Sequence, residues 1–492
     1  MILEYLYIED YKKYYDTDIK IYKKSDNNFI EKIYNNISFT VLVGENGAGK
    51  TTILSLIAYI FRYLQRDQYK IPSDFKLIYR IGKENDIVVK LEKNDNNIFI
   101  TIKGIKYLLL EFDAKTKKYI TNKVYKNTVT YDEIVEYLPY NVIVSCFDVD
   151  YPNEYCWNYV GDRLVEINRV DKSYKKSAFG MDISIGIIKF LNKYFFKNEN
   201  LKKLLNTLGF KFINCIYIFR NYYCIDENIR DELEDFYSEC GCNDWNEFLK
   251  KVQFNSKDEF LEYILSDDYW KKYYGKVEEL EDEESQNEII DFEKFVKDNF
   301  FNLNLLYKLI YNNRIYINGF LLIKDDEILS IDKMSTGEKI LFFRLFFILA
   351  KIEDDSLIIL EEPEIHLNYS IIKQLITIIN LCFNEYNVHF LISSHNPVFI
   401  NMLFPDNILV LEKHTIKHPE FNTFLANERE ISRCLFQGSN IKNYIETEIF
   451  EILKSSNIAL IEELMQNLGE SYIKYLTFKR LKELGEINVE GN

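Results

Sequence analysis

Hydrophobic and polar residues follow different periods along the chain, and these periods divide it into segments. From 75 to 145 apolar residues recur at every second position, which predicts antiparallel strands with one solvated face. Residues 151–314 place apolar residues at helical spacing, as in I-S-I-G-I-I-K-F-L-N-K-Y-F-F. Residues 315–415 contain two buried strands separated by a helix, the rhythm of a parallel sheet. We predict an α/β fold with a helical insertion at 151–314 and a helical C-terminal region at 416–492.

The composition is that of a globular protein with more than one core. The chain has 492 residues, 47% of them hydrophobic and 28% charged, and single cores stop growing at roughly 250 to 300 residues. The net charge of −16 argues against a surface that binds nucleic acid everywhere, although a local basic groove stays open. The first residues include early acids and no basic segment, and the longest apolar stretch, 340–350, is interrupted by Arg344. We expect a soluble, cytoplasmic protein.

The eight cysteines are scattered along the chain. Cys240 and Cys242 form a C-x-C pair that has neither a second pair nor a nearby histidine, and such a pair makes a poor zinc site. This usage indicates reduced thiols in a reducing compartment.

A glycine-rich loop follows the buried strand V-L-V at 41–43 and precedes an apolar-faced helix. The pattern G-x-x-x-x-G-K-[ST] lets backbone N–H groups point at phosphate oxygens, and the helix N-terminus adds a favourable field. We predict that Lys50 contacts the β- and γ-phosphates of ATP and that Thr51 ligates Mg²⁺. The predicted ATP-binding residues are Gly44, Glu45, Asn46, Gly47, Ala48, Gly49, Lys50, Thr51 and Thr52.

Two adjacent glutamates, Glu361 and Glu362, end the apolar run L-I-I-L at 357–360. A buried strand of a parallel sheet delivers its last residues to the edge where the phosphate loop also opens, so both acids should lie beside the ATP phosphates. One carboxylate there can hold Mg²⁺ through water, and its neighbour can orient or deprotonate the attacking water. We assign Glu361 to the metal and Glu362 to the water.

Two further segments carry weaker signals. Ser335, Thr336, Gly337 and Glu338 precede a strongly apolar helix, where Ser335 and Glu338 also fit an ordinary capping box. His395 ends the next buried strand, V-H-F-L-I-S-S, and a single histidine in such a position is more often structural than catalytic. Taken alone, each pattern leaves both interpretations open.

In their order and spacing the motifs resemble those of the ABC-type ATPases of the SMC, RecF and OLD kind. G-E-N-G-A-G-K-T matches their Walker A motif, M-S-T-G-E-K their signature, L-I-I-L-E-E-P-E-I-H-L their Walker B motif and S-S-H-N-P their switch histidine. P-E-I-H-L is typical of the OLD-like branch. The resemblance covers residues 1–150, the lobe with Walker A, and 315–415, the lobe with the other motifs. It implies an ABC-type P-loop head whose catalytic residues are Glu362 and His395.

The resemblance also implies an assembly. In that family two heads enclose two ATP molecules, and the signature of one chain touches the γ-phosphate held by the other. ATP hydrolysis would then require a homodimer or a higher oligomer. The residues implied to act in trans are Ser335, Thr336, Gly337 and Glu338.

Two features depart from the family pattern. We find no convincing Q-loop, since Gln65 and Gln68 lie too close to the phosphate-loop helix. Glu361 stands at the Walker B position that usually carries Asp. The longer side chain still reaches a Mg²⁺-bound water, and we expect an ATPase that turns over slowly.

Three functions compete for such an ATPase. The first is a sensor or regulatory subunit that controls a separate effector such as a nuclease, as in the antiphage systems Septu and PARIS. The second is a RecF- or SMC-like ATPase that binds DNA in repair or recombination. The third is a nuclease with its own Toprim domain, and the lack of any Asp in 416–492 speaks against it. We interpret the D-x-D at 148–150 as a loop feature, because no other acid is placed to complete a metal site.

The insertion distinguishes the first two functions. Residues 151–314 are too few for a long SMC coiled coil, which favours a compact arm that docks a partner. Its aromatic residues, including Trp245 and Trp270, are more typical of a core than of a platform for nucleic-acid bases. We therefore expect an effector protein, encoded nearby, as the partner, and direct DNA binding as the weaker alternative.

Overall fold

The computed structural model forms two compact units, Met1–Ile431 and Ser432–Asn492. No helix among its described residues is both long and apolar enough to cross a membrane. The D-x-D at 148–150 lies outside the described residues. The structure describes residues 1–22, 33–34, 37–65, 71, 73–82, 86–116, 118–120, 127–147, 162–168, 179–221, 227–275, 288–324, 326–412, 415–436, 444–469 and 471–485.

One seven-stranded sheet is built from strands near the start of the chain. Its strands are β1 (Ile2–Tyr11), β2 (Tyr14–Lys20), β4 (Phe75–Ile81), β5 (Ile87–Asn94), β6 (Asn97–Ile102), β7 (Ile105–Asp113) and β8 (Lys118–Ile120). They lie in the order β2-β1-β4-β5-β6-β7-β8, and each pairing is antiparallel. Strand β4 alternates buried and half-buried residues, as its two-residue period predicts.

A second seven-stranded sheet contains the parallel core. Its strands are β3 (Ile37–Val43), β9 (Asn141–Phe147), β10 (Asp162–Asn168), β15 (Leu357–Glu361), β16 (Val388–Ser394), β17 (Ile408–Leu411) and β18 (Ile416–Lys417). In the order β10-β9-β15-β16-β3-β17-β18 the four central pairings are parallel, and both edge pairings are antiparallel. Every residue of β16 is buried, as expected for a central strand of a parallel sheet that is covered on both faces. The predicted α/β fold with a parallel core sheet and an antiparallel β part is confirmed.

The segment 151–314, predicted to be helical, also contains strands. Strands β11 (Lys211–Arg220) and β12 (Glu288–Asp291) pair with β13 (Ile315–Lys324) and β14 (Glu327–Ser330) in a four-stranded antiparallel sheet of order β12-β11-β13-β14. The short apolar run of β11 does not distinguish a strand from a buried helix by its period, and pairing with its neighbours decides the outcome.

Helices connect and cover these sheets. Shorter turns of 3₁₀ helix lie at Val135–Tyr137, Ile331–Lys333 and Pro405–Asn407, and Lys193–Lys197 forms a π-helical turn. The α-helices of the described residues are α1 (Lys50–Gln65), α2 (Tyr131–Ile134), α3 (Phe179–Asn192), α4 (Glu199–Thr207), α5 (Glu227–Glu232), α6 (Phe236–Glu239), α7 (Trp245–Val252), α8 (Lys257–Leu265), α9 (Asp267–Lys271), α10 (Phe292–Asp298), α11 (Asn302–Tyr311), α12 (Thr336–Lys351), α13 (Tyr369–Phe383), α14 (Pro397–Ile400), α15 (Glu428–Leu435), α16 (Tyr444–Lys454), α17 (Ile458–Asn467) and α18 (Tyr472–Glu483).

The inserted segment is packed closely against α12. Helix α3 crosses α12 at Gly186, where a Cβ would lie 2.0 Å from the carbonyl oxygen of Phe346. Only glycine allows the two backbones to approach so closely. Farther into the insertion, Trp270 is buried and stacks on Phe295, so its indole belongs to the core of this segment.

The second unit has a small core of its own. Its buried members are Leu453, Ile461 and Leu481, one from each of the helices α16, α17 and α18. Amphipathic helices of this kind bury one apolar stripe against each other.

Candidate functional site

The phosphate loop joins β3 to α1 within the parallel sheet, and β3 is held on both sides by β16 and β17. Gly47 (φ 77°) and Gly49 (φ 96°) have a left-handed backbone that other residues rarely adopt, so the curl of the loop depends on them. Around this curl Gly44 and Lys50 are buried, Ala48, Gly49 and Thr52 are half-buried, and Glu45, Asn46, Gly47 and Thr51 are exposed.

Lys50 is the first residue of α1, and its side chain contacts the backbone of the phosphate loop. Its Nζ donates hydrogen bonds to the carbonyl oxygens of Gly44 (2.8 Å) and Glu45 (3.3 Å). Burial lowers the pKa of Lys50 despite the opposing charges of nearby glutamates. A desolvated ammonium held by two neutral carbonyl groups gains more from a phosphate oxygen, because a charge-assisted hydrogen bond is stronger than a bond to a neutral acceptor.

A second lysine, which no sequence motif indicates, contacts the loop. Lys13 lies in the turn between β1 and β2, and its Nζ donates a hydrogen bond to the carbonyl oxygen of Gly47. Beside it the Tyr14 hydroxyl donates to the carbonyl oxygen of Ala48 at 3.0 Å. Burial, and then the charge of Lys50, lower the pKa of Lys13. The loop is therefore approached by two cations from different parts of the chain.

Strand register brings the predicted acids to the same edge of the sheet. Glu361, the last residue of β15, lies opposite Ser393 of β16, and Ser394 lies opposite Val43 of β3. The Thr51 hydroxyl donates a hydrogen bond to Oε1 of Glu361. The two residues predicted to hold Mg²⁺ are thus in direct contact, although they are far apart in the sequence.

Glu362 and His395 also meet. Oε1 of Glu362 lies 3.1 Å from Nδ1 of His395, and both side chains are partly exposed, at 22% and 46%. The backbone N–H of Glu362 donates to the Ser393 carbonyl oxygen at 3.0 Å. With φ 42°, Glu362 adopts a left-handed conformation, a strained state that often marks functional sites.

A third glutamate, Glu364, belongs to the same cluster, although the sequence pattern predicted no role for it. Its side chain is 4% exposed. Oε1 accepts hydrogen bonds from the Ser394 hydroxyl and, at 3.3 Å, from the backbone N–H of His395. Burial raises the pKa of Glu364. The local signal was its place in P-E-I-H-L, three residues after Glu361.

The signature residues lie at the start of α12. Ser335 caps the helix: its Oγ accepts from the Glu338 N–H at 3.4 Å, and the Glu338 carboxylate accepts from the Ser335 N–H at 3.0 Å. Glu338 is buried and also accepts a hydrogen bond from Lys324. Ser335 and Thr336 are exposed, whereas Gly337 is buried. The capping box therefore exists and leaves Ser335 and Thr336 accessible from outside the chain.

Comparison with known proteins gives a family and a distant structural likeness. The chain is similar to the SMC head domain from Thermotoga maritima (11% identity, 86% of this chain and 100% of that chain, TM-score 0.32). It is also similar to an SMC head bound to the C-terminal winged-helix domain of ScpA (11% identity, 86% of this chain and 98% of that chain, TM-score 0.32). No curated protein sequence matches the chain. A family model described as AAA ATPase domain matches residues 1–400. The chain belongs to this AAA ATPase domain family.

Proposed function

We propose that this protein is an ABC-type ATPase that binds ATP with Mg²⁺ at the phosphate loop and hydrolyses it slowly. The contact between Thr51 and Glu361, together with the buried Lys50 that contacts the loop, carries the proposal. Mg²⁺ prefers oxygen ligands and is usually held by one or two protein groups together with substrate phosphates. The described residues contain no cluster of three or more His, Cys, Asp or Glu side chains that could hold a metal ion. The Thr51–Glu361 pair therefore fits a Mg²⁺ ion that is held by these two side chains together with phosphate oxygens of ATP.

Each side chain in the cluster has a proposed task. The loop N–H groups and Lys50 hold the β- and γ-phosphates, and Thr51 and Glu361 hold Mg²⁺, which when bound neutralises charge on these phosphates. Glu362 orients the attacking water and accepts its proton. His395, held 3.1 Å from Glu362, donates to the γ-phosphate.

The proposed enzyme works as a homodimer or a higher oligomer. Ser335 and Thr336 are exposed at the N-terminal end of α12, where the helix dipole favours an anion. Through the resemblance to ABC-type ATPases, we propose that they reach the γ-phosphate bound by a partner subunit. Both residues precede or begin the 16-residue helix α12, most of whose side chains are buried.

Two substitutions test the assignment. Glu362→Gln should retain ATP and lose turnover, because the amide preserves the shape of the side chain but does not accept the proton of water. Lys50→Ala should lose nucleotide affinity, measured by calorimetry. Normal phosphate release by Glu362→Gln, or unchanged binding by Lys50→Ala, would overturn the proposal.

We further propose that the ATPase is a sensor or regulatory subunit of a bacterial antiphage defence complex and controls a separate effector such as a nuclease. This role rests on the resemblance to the OLD-like branch. Purification of the protein from its native operon, followed by identification of the proteins that co-elute, tests it. A nuclease partner supports this role, whereas tight ATP-dependent DNA binding by the isolated protein supports the RecF- or SMC-like alternative.

A further inference from the structure

Glu364 lies in a loop whose backbone directs its side chain into the protein. The loop leaves β15 through Glu362 and makes two successive turns, in which Ile365 N–H donates to the Glu362 carbonyl (3.1 Å) and Leu367 N–H donates to the Glu364 carbonyl (3.2 Å). With 4% of its surface exposed, Glu364 is the most enclosed acid of the cluster. An enclosed carboxyl group requires hydrogen bonds that offset its loss of hydration.

Those hydrogen bonds all come from the segment that carries His395. Oε1 of Glu364 accepts from the Ser394 hydroxyl and from the His395 backbone N–H (3.3 Å). The Ser394 oxygen accepts in turn from the Asn396 N–H at 3.1 Å. One oxygen of Glu364 therefore binds Ser394 and His395 directly and is linked to Asn396 through the Ser394 hydroxyl.

His395 is consequently held at two points by two glutamates of one loop. Glu364 binds its backbone, and Glu362 contacts its ring at 3.1 Å. The ring has 46% of its side-chain surface exposed, so packing alone does not hold it in place. A backbone anchor restricts where this ring can lie.

We infer that Glu364 is a positioning residue that holds the 394–396 segment so that His395 meets both Glu362 and the γ-phosphate. This inference rests on the proposed ATPase function. The task requires an acceptor oxygen at Oε1 and does not require a negative charge. In the part of the chain that the structure describes, Oε2 of Glu364 is buried without a hydrogen-bond partner, which also disfavours an ionised carboxylate there.

Two variants separate positioning from charge. Glu364→Gln keeps an acceptor oxygen for Ser394 and His395, and it should retain kcat within about threefold of the wild type. Glu364→Ala removes the acceptor, and it should lower kcat by about 10- to 100-fold with little change in KM, since a small misplacement costs about that much. Loss of turnover in Glu364→Gln equal to that in Glu362→Gln would overturn the inference, because it would mean that the charge is needed.

Epistasis with His395 separates positioning from a general structural role. In a His395→Ala background, Glu364→Ala should change kcat by less than about twofold, because the residue it positions is already absent. An equal loss in both backgrounds would contradict the inference. Ser394→Ala keeps Glu364 and removes one of the two hydrogen bonds to its Oε1, so it should lower kcat less than Glu364→Ala does. It replaces Glu364→Ala in the test if that variant does not fold.

A readout without ATP turnover keeps this inference distinct from the proposed function. The chain has five histidines, and NMR of protein with ¹³C-labelled histidine rings reports the surroundings of each ring. Glu364→Ala should shift the His395 signal towards that of a freely rotating ring, whereas Glu364→Gln should not. An unmoved His395 signal overturns the inference even in an active enzyme, and a moved signal in a protein that neither binds nor hydrolyses ATP overturns the proposed function alone.

Discussion

Gly337 lies directly against the backbone of His366: a Cβ built on Gly337 would sit 2.0 Å from the His366 carbonyl oxygen. His366 has a left-handed backbone (φ 65°) and belongs to the loop that begins at Glu362. The start of α12 and the loop after Glu361 and Glu362 are therefore in direct backbone contact. This contact therefore connects two proposed sites. One is the start of α12, which we propose touches the ATP of a partner subunit, and the other is the loop beside the phosphate loop of the same chain.

Gly337→Ala should abolish or strongly reduce ATP turnover while leaving ATP binding to the phosphate loop intact. The added methyl group must displace either the start of α12 or the His366 backbone, since real Cβ atoms are not found so close to a carbonyl oxygen. We expect kcat to fall by at least about tenfold. Steady-state ATPase assays and calorimetric nucleotide binding measure the two effects.

Gly319→Ala is the matched control for this substitution. A Cβ at Gly319 would meet its nearest atom, on Ile331, at 3.5 Å, which is an ordinary van der Waals contact. Gly319→Ala should therefore hydrolyse ATP at the wild-type rate. Equal activity of Gly337→Ala and Gly319→Ala would show that the contact with His366 does not matter.

Lys13→Ala should weaken ATP binding. Its ammonium touches the Gly47 carbonyl at the phosphate loop, and a hydrogen bond to a charged group contributes about 1.5–3 kcal/mol, which is at least about tenfold in affinity. Lys12→Ala is the control: its Nζ lies over the Tyr11 ring, 5.4 Å from the ring centroid, whereas the Nζ of Lys13 contacts the phosphate loop. Calorimetry with a non-hydrolysable ATP analogue should separate the two variants. Equal affinities would exclude Lys13 from the site.

The sequence predicted that the parts of the candidate site that follow buried strands lie at one edge of the sheet, and the strand register places them there. The phosphate loop follows β3, Glu361 ends β15, and His395 follows β16, and parallel pairing aligns these ends without further information. Their local patterns and the rule that parallel strands end at one edge were sufficient.

The contacts of Lys13 and Glu364 were not predicted from the sequence because they are tertiary contacts. Lys13 lies in a hairpin turn of a different sheet, and its own neighbours in the sequence do not indicate that the turn touches Gly47. Glu364 stands next to recognised residues, but its contact with the 394–396 segment comes from a separate strand. The strands inside 151–314 were missed for a similar reason, since pairing with β13 decides the state of β11.

Glu361→Asp should raise the Mg²⁺ concentration needed for half-maximal activity. The shorter side chain withdraws its carboxylate from the Thr51 hydroxyl by about one methylene, so the two oxygen ligands separate. The wild type itself should hydrolyse ATP more slowly than about ten times per second, the median for enzymes. ATPase assays at graded Mg²⁺ concentrations measure this rate and the Mg²⁺ requirement of each protein, and EDTA should abolish activity. An unchanged Mg²⁺ requirement would remove Glu361 from the metal site.

His389 is buried in β16 as a neutral ring with a defined tautomer. Its Nδ1 accepts from the Leu3 N–H at 2.9 Å, and Nε2 lies 3.0 Å from the Thr40 hydroxyl. Because that hydroxyl donates its proton to the Ile21 carbonyl, Nε2 of His389 carries the hydrogen and donates to Thr40. Complete burial lowers the pKa of His389 from 6.5 to about 3. The folded protein thus excludes a proton that the unfolded chain accepts.

The protein should therefore lose stability as the pH falls below about 6.5, and the loss should continue towards pH 3. Between these values the unfolded chain binds one proton more at His389, so the free energy of unfolding falls by about 1.4 kcal/mol per pH unit, or about 2 kcal/mol by pH 5. His389→Gln, whose amide offers both an acceptor and a donor, should show a shallower decline than the wild type. Urea unfolding of both proteins at pH 7, 6 and 5, followed by tryptophan fluorescence, measures the two slopes. Parallel declines in the wild type and in His389→Gln would show that another group sets the acid sensitivity.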